Sequence, residues 1–425
     1  MDSTLAYTLS LLGCACRGNV PAPPPADVDW GVIFGHAVQY VHNSIPLIFT
    51  PITKLIESGY SGVPDEIFSR LKKTSLEVTY SKYLRRMAVL DVLRKVEAYE
   101  IPFITLKGDS LAWRYPSQND RISIDTDILI PPEYEDRILA LMADLGATIE
   151  PRVERYLHSR CFLPKAGLIE IHVSLMDDIY SDSIFNKYNE RTYDMLEKSV
   201  FPAADGGVLP CLSGNDEFIY VFIHFAKHFI IAECNLRNIA DILVLMATYK
   251  NILDWGHIME YMRGLKMDTL LSAIAVMGAT RFGYSQEELP ELEGCPPRLA
   301  DEVLDSIAYG DNKKGESSTK RVFSLMRKRY QEQEHHSYAL YLLKWKIPRA
   351  LHRFFPTAKN LCLQYPFAQK RLLLLPAAYF VNICKYIAFF FRRKQYSRML
   401  YFGDEASLKA ATDERTNLFR DLNML

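Results

Sequence analysis

A chain of 425 residues, 49% hydrophobic and 24% charged with no excess of Gly or Pro, excludes a disordered or fibrous protein and has room for two or three domains. Its formal net charge of −1 gives no whole-chain attraction to a polyanion. The eight cysteines (14, 16, 161, 211, 234, 295, 362, 384) contain no CxxC pair, which argues against a zinc finger and predicts reduced thiols in a cytoplasmic protein.

In chain order, residues 1–100 read as a helical region. The apolar stretch Leu5–Cys14 lacks a basic segment before it and is not expected to be a signal peptide. After the Pro-rich run Val20–Pro25, helices are predicted over Trp30–His42 and Ser75–Tyr99, the latter from Leu84, Met87, Leu90, Val92 and Leu93. The texture changes at Ile101. Pro102–Leu106 predicts a strand ending at Lys107-Gly108, and Asp109–Tyr115 a helix stopped by Pro116. Ile122–Ile130 predicts a second strand, Glu133–Leu145 a helix closed by Gly146, and Tyr156–Leu163 with Leu168–Leu175 a hairpin across Pro164–Gly167. Residues 101–212 are therefore expected to form a small mixed-sheet α+β core inside a largely helical protein. Helices resume over 213–310, with Asp216–Ala232 and Leu236–Tyr249 the most periodic, and Asp311–Thr319 reads as a polar linker.

Residues 320–425 read as a basic helical region. From Arg327 to Arg398 fifteen Lys/Arg face two acids, Glu332 and Glu334. Such a segment balances an acidic remainder, or meets nucleotide phosphates, nucleic acid or a membrane surface; a peripheral membrane contact stays open, and nucleic acid is the less expected partner. Leu372–Phe391 reaches bilayer length but carries Pro376, Asn382 and Lys385, so a buried helix is expected first and an interfacial one, with Arg392-Arg393-Lys394 at the headgroups, second.

The chemistry concentrates at Asp125 and Asp127. On a strand, residues i and i+2 share a face, so two carboxylates stand together in the middle of a run containing Ile124, Ile128, Leu129 and Ile130. Two like charges there are costly without a cation between them, and a hard cation such as Mg²⁺ (or Mn²⁺) takes oxygen ligands. Asp-x-Asp alone is a weak motif, more often a pair of surface acids. Glu170 and His172 form another i, i+2 pair, read equally as an exposed alternating face or as a further metal ligand. Lys107-Gly108 with Ser110, at a strand-to-helix junction, suits an anion; Arg121 and Ser123 precede the carboxylates and could hold phosphate or simply shape a loop. His224, Lys227 and His228 share a helix face. They either line the cleft or form a polar seam in which Asp241 pairs with Arg237 or Lys227. His158 is similarly ambiguous, and His335-His336 are expected to be solvated.

These residues carry a family resemblance. Leu106-Lys107-Gly108, Tyr115-Pro116, Arg121-x-Ser123-x-Asp125-x-Asp127 with Ile128-Leu129-Ile130, and Glu170-Ile171-His172 resemble the signature of the bacterial uncharacterised nucleotidyltransferase family, of the DNA polymerase beta-like superfamily. His224-x-x-Lys227-His228, Arg237, Asp241 and Asp254-Trp255 resemble its helical part, as do Asp29-Trp30, Phe354-Phe355-Pro356 and Tyr365-Pro366 at the two ends, so that the likeness runs from about residue 29 to 390. The resemblance implies Mg²⁺- or Mn²⁺-dependent transfer of a nucleoside monophosphate from an NTP to a hydroxyl of a small molecule, sugar, peptide or protein. It assigns Asp125, Asp127 and Glu170 to the metal and catalysis, with Glu170 binding metal or accepting the acceptor's proton. Lys107, Gly108, Ser110, Arg121 and Ser123 fall to the nucleotide, and His172, His224, Lys227, His228, Arg237 and Asp241 to the cleft wall. Long-tract nucleic-acid synthesis is not expected, because no nucleic-acid-binding module is recognisable. Three departures stand out: Lys107-Gly108 replaces the usual Gly-Ser element, Asp109 occupies the place of a small apolar residue, and Thr126 that of an aliphatic one. An acid beside a triphosphate is unfavourable unless turned away, so a non-catalytic nucleotide- or partner-binding protein is the competing expectation.

Overall fold

The chain opens with α1 (Ser3–Arg17), capped by Asp2, whose side chain accepts from Leu5 N, and closed by Gly18 at φ 74°. A computed structural model describes residues 2–39, 45–152, 158–175, 191–230, 234–309, 372–385 and 405–424, with single positions 355, 358, 361 and 365. The linker 311–319 and most of the basic segment from Arg327 therefore lie outside the described residues, as do His335-His336, Phe354, Pro356 and Pro366.

Helix α2 (Trp30–Gln39) follows the Pro-rich run, as expected. Helix α3 (Pro46–Glu57) was not foreseen. Pro51 in its interior reads as a breaker, yet Leu47, Ile48, Ile52 and Leu55 bury one face, and Pro46 stands in its first turn. The helix predicted from Ser75 is longer: α4 runs from Asp65 to Ala98. Its first turns are charge-rich and only its final third, Val89, Leu90, Val92, Leu93 and Val96, presses on the sheet.

The strands are β1 (Ile104–Thr105), β2 (Asp125–Leu129), β3 (Thr148–Glu150), β4 (His158–Leu163), β5 (Gly167–His172), β6 (Lys198–Pro202) and β7 (Val208–Leu212). They form one mixed sheet in the order β3-β4-β5-β2-β1-β7-β6. The central pair β2/β5 is parallel, while β1/β2 and β4/β5 are antiparallel. The short α5 (Asp109–Ala112) follows β1, and α6 (Glu135–Asp144) links β2 to β3.

Strand alternation sorts the sheet into two faces. Ile128, Ile130, Ile169 and Ile171 point into a core with α4 and α6, each fully buried side chain contributing roughly 1.5–3 kcal/mol. Leu129 points the other way, into the larger core built by α1–α3 and by α7 (Gly214–Ile230), α8 (Leu236–Tyr249), α9 (Trp255–Gly264), α10 (Asp268–Thr280) and α11 (Pro297–Tyr309). Asp127 shares Leu129's parity, so the carboxylates face the helical layer. The α+β class expected from the sequence is the observed one, a mixed sheet within a helical frame.

The last described helix, α12 (Glu405–Asp421), docks Leu418, Phe419 and Leu422 on that larger core. Among the described residues no helix is long and apolar enough to cross a membrane. The buried helix expected within Leu372–Phe391 needs correction over its described part. Residues 375–385 are helical and bury Ala378 and Asn382, but Leu373, Phe380 and Val381 are exposed.

Candidate active site

Asp125 is the first residue of β2 rather than a mid-strand one as predicted, and the preceding Ile124 is 65% exposed. Asp125 thus sits at the strand's mouth, half-buried and lining a cavity, while Asp127 is buried behind it. Parallel register sets Asp127 beside Glu170 on β5. Carboxylate oxygens of Asp125, Asp127 and Glu170 all lie within 4.8 Å of one another. The three acids read from the sequence therefore converge.

Lys107 lies closer than a phosphate-loop role suggests. Its Nζ is 3.4 Å from Asp127 Oδ2, 3.9 Å from Asp125 Oδ2 and hydrogen-bonded to His224 Nε2 at 2.9 Å. Burial alone would lower the Lys107 pKa; Asp127, Asp125 and Glu170 outweigh it and raise the value. Burial would likewise raise Asp127, but Lys107 and His172 hold its carboxyl well below the usual range. Glu170 moves the other way, raised by burial and then by the charge of Asp127. Asp127 Oδ1 faces His172 Nε2 at 3.2 Å, whereas the buried Oδ2 accepts no hydrogen bond. An unbonded carboxylate oxygen among three acids fits a hard divalent ion.

The loop between β1 and β2 is held from both sides. Gly108 has φ 87° and ψ −112°, a conformation open to glycine. Arg121, expected to hold phosphate, is instead buried. It grips both oxygens of Asp241 through Nε (3.1 Å) and Nη2 (3.0 Å), and Nη1 donates to Gly108 O at 3.1 Å. Its donors are thus engaged in fixing the loop to α8. Asp241 accordingly pairs with Arg121 and Tyr115, whose hydroxyl donates at 2.7 Å, not with Arg237 or Lys227. Ser123 donates to Asp125 Oδ1 at 3.3 Å. Ser110 is 3% exposed in α5 and does not line the cavity described below.

A cavity of about 290 Å³ opens between the carboxylate loop and the helices. Lys107, Ser123 and Asp125 form one wall, and His224, His228 and Arg237 the other. Asn235, which caps α8 through a reciprocal pair with Asn238, brings both amides to the same rim. Helical spacing on α7 puts the His224 and His228 rings side by side, centroids 4.5 Å apart and planes tilted by 54°. Burial, and then the Lys107 charge, lowers both imidazoles, His228 to about 4. Lys227 is partly exposed and lies off the cavity wall. Arg237 donates through Nη1 to Ile122 O at 2.8 Å and leaves Nε without a hydrogen bond. A second cavity, of about 20 Å³ and beside α4, has room for about one water.

Sequence reading missed the α4 residues that support this loop. Lys82 Nζ donates to Gln118 O (2.6 Å) and Arg121 O (2.7 Å), and its pKa is pushed down to about 8 by burial. Arg85 reaches Thr126 Oγ1 (2.8 Å) and Leu168 O (3.2 Å), tying β2 to β5 from the face opposite the acids. Arg86 Nε stands 3.4 Å from Asp109 Oδ2. Their spacing, three basic residues within one turn of an otherwise mixed helix, was the available signal.

No curated protein and no solved structure matches the chain significantly. A family model described as "uncharacterised nucleotidyltransferase" matches residues 42–283, which include β1 to β7, the three acids and helices α7 to α10. The chain therefore belongs to the uncharacterised nucleotidyltransferase family.

Proposed function

We propose that this protein transfers a nucleoside monophosphate from an NTP to a hydroxyl acceptor, with Mg²⁺ (or Mn²⁺) held by Asp125, Asp127 and Glu170. The observation that carries the reading is the convergence of these acids, with Asp125 lining a cavity walled also by Lys107, His224 and Arg237. The divalent ion would neutralise triphosphate charge and lower the pKa of the attacking hydroxyl. The chain's own part is to bind and orient. Gly108 and Ser123 shape the loop on which the phosphates rest, Arg237 supplies positive charge from the cavity wall, and Lys107 moves from the acids onto a phosphate oxygen. Glu170, whose pKa is raised, is the better proton acceptor of the three. His224 and His228, held toward the neutral form by burial and the Lys107 charge, offer hydrogen bonds without charge.

Incubation with labelled NTPs, Mg²⁺ and a panel of small hydroxylated molecules, sugars and peptides tests this. The reading fails if Asp125→Ala with Asp127→Ala leaves nucleotide binding and turnover unchanged. A non-catalytic nucleotide-binding protein is favoured by one observation, the Lys107 ammonium already resting on the two aspartates. It predicts NTP binding indifferent to Mg²⁺, which calorimetry distinguishes.

The domain limits read from the sequence, 1–100, 101–212, 213–310 and 320–425, belong to the same proposal, as does a cytoplasmic location. So does a peripheral contact of the basic 327–398 segment with anionic lipid, which binding that weakens steeply with salt would support.

A further inference from the structure

Beside the three acids lies a set of donors that nucleotidyl transfer leaves unused. Antiparallel pairing puts His158 opposite His172 and Arg160 opposite Glu170, and such partners share a face with the i, i+2 pair on β5. His158 Nε2 is 3.8 Å from Glu170 Oε1, and His172 Nε2 is 3.9 Å from Glu170 Oε2. One imidazole nitrogen thus faces each oxygen of a single carboxylate. The two rings lie 4.9 Å apart between centroids, and the three ligand atoms fall within 4.8 Å of one another. We propose that His158, His172 and Glu170 form a second cation site, suited to a borderline transition ion such as Zn²⁺, which shares Glu170 with the hard-ion site.

The donor class sets the selectivity. Two imidazoles and a carboxylate are a common zinc set, whereas Mg²⁺ takes oxygen ligands. Tetrahedral ligands 2.0–2.1 Å from an ion stand about 3.4 Å apart, so ligand atoms now within 4.8 Å of one another close by at most about 1.4 Å on binding. Two groups compete with the ion. Arg160 Nε lies 3.4 Å from Glu170 Oε1, but its side chain is 41% exposed and also pairs with Glu150. His172 Nε2 faces Asp127 Oδ1 at 3.2 Å, a contact that the ion must replace. Because Glu170 belongs to both sets, Zn²⁺ here withdraws the third acid from the Mg²⁺ position. That inhibition rests on the transfer reading; the site itself does not.

The test is a Co²⁺ titration of the full chain followed by visible absorption, with Zn²⁺ as competitor. One equivalent of Co²⁺ is expected to give the bands of a nitrogen- and oxygen-ligated ion, and Zn²⁺ to erase them. His158→Ala is expected to weaken Co²⁺ binding at least about tenfold, and Asp125→Ala to leave it within about twofold. Metal-free thermal unfolding checks that His158→Ala folds; if it does not, His158→Phe keeps a ring and removes the donor. Unchanged bands in a folded His158 variant overturn the proposal, as does an Asp125→Ala loss as large as the His158 loss. Co²⁺ binding that depends on His158, in a protein without Mg²⁺-dependent transfer, supports this site and removes only the transfer reading.

Discussion

Lys107→Met separates two roles that a cation can play beside these carboxylates. At an effective dielectric of about 20, an ammonium 3.4 Å from Asp127 and 3.9 Å from Asp125 is attracted to each by about 4–5 kcal/mol. Desolvation of Lys107 and Asp127 offsets much of this, yet removing one member of such a buried set costs roughly 3–5 kcal/mol, because the remaining charge is left uncompensated. In EDTA the variant is therefore expected to lose about 3–5 kcal/mol in denaturant unfolding. Acid sensitivity changes as well. Asp127 has a depressed folded pKa, so its contribution is present above the unfolded value near 4 and lost as pH falls. Without Lys107 the depression shrinks, and the variant's stability falls less steeply below about pH 4. Mg²⁺ then supplies the missing charge without displacing an ammonium, so its stabilising effect is larger in the variant than in the wild type. Paired unfolding curves with EDTA and with saturating Mg²⁺ measure both quantities. Equal stability in EDTA, or a larger Mg²⁺ effect in the wild type, would refute the reasoning.

Gly108→Ala places an L-residue at φ 87°, ψ −112°, where the added Cβ meets Ser123 Oγ at an ordinary 3.6 Å; backbone strain of about 1–3 kcal/mol is expected in thermal melts, along with weaker NTP binding by calorimetry. His228, held down to about 4 by burial and then by Lys107, adds stability that is complete above its unfolded value near 6.5 and is lost as pH falls to 4, at most about 3 kcal/mol. Urea midpoints taken across that window should therefore flatten in His228→Gln, and an unchanged pH slope would count against a buried neutral imidazole. Asp241→Ala strands the Arg121 guanidinium and should cost roughly 3–5 kcal/mol, whereas Arg121→Met with Asp241→Leu should cost distinctly less, a difference read from chemical unfolding of the three chains.

The acids were legible because their placement depends on short-range rules. Asp125/Asp127 and Glu170/His172 are i, i+2 pairs, and strand alternation alone decides which face each takes. What the sequence hid depends on distant pairing. Lys107 reads as a loop lysine until β1 pairs antiparallel with β2 and brings the loop against Asp127. Arg121 reads as a phosphate ligand because its partner, Asp241, lies on α8, after the sheet is complete. The edge strand β6 and its neighbour β7 escaped because Pro202 and Pro210 look like breakers. Pro210 instead leaves its carbonyl to accept from Thr105 Oγ1 at 2.7 Å, so the ladder survives the missing N–H.

Asp109 gave the sequence its argument against catalysis, and the charge arrangement around the loop answers it. Its carboxylate turns toward α4, where Arg86 stands 3.4 Å away and Lys82 and Arg85 add favourable charge. The acid is thus compensated on the side of the sheet away from the large cavity. On the cavity side, Arg121 is neutralised by Asp241, but Arg237 lies close enough to Arg121 that burial and then this like charge lower its pKa. Arg121 holds both oxygens of that carboxylate, and Arg237 keeps an unbonded Nε. A buried surplus of positive charge next to a trio of acids is costly for the protein alone. It becomes favourable when a polyanion and a divalent ion arrive together, the anion satisfying Arg237 and the cation satisfying Asp127 Oδ2. The proposed function therefore predicts cooperative binding of metal and nucleotide, because each would remove the electrostatic obstacle to the other.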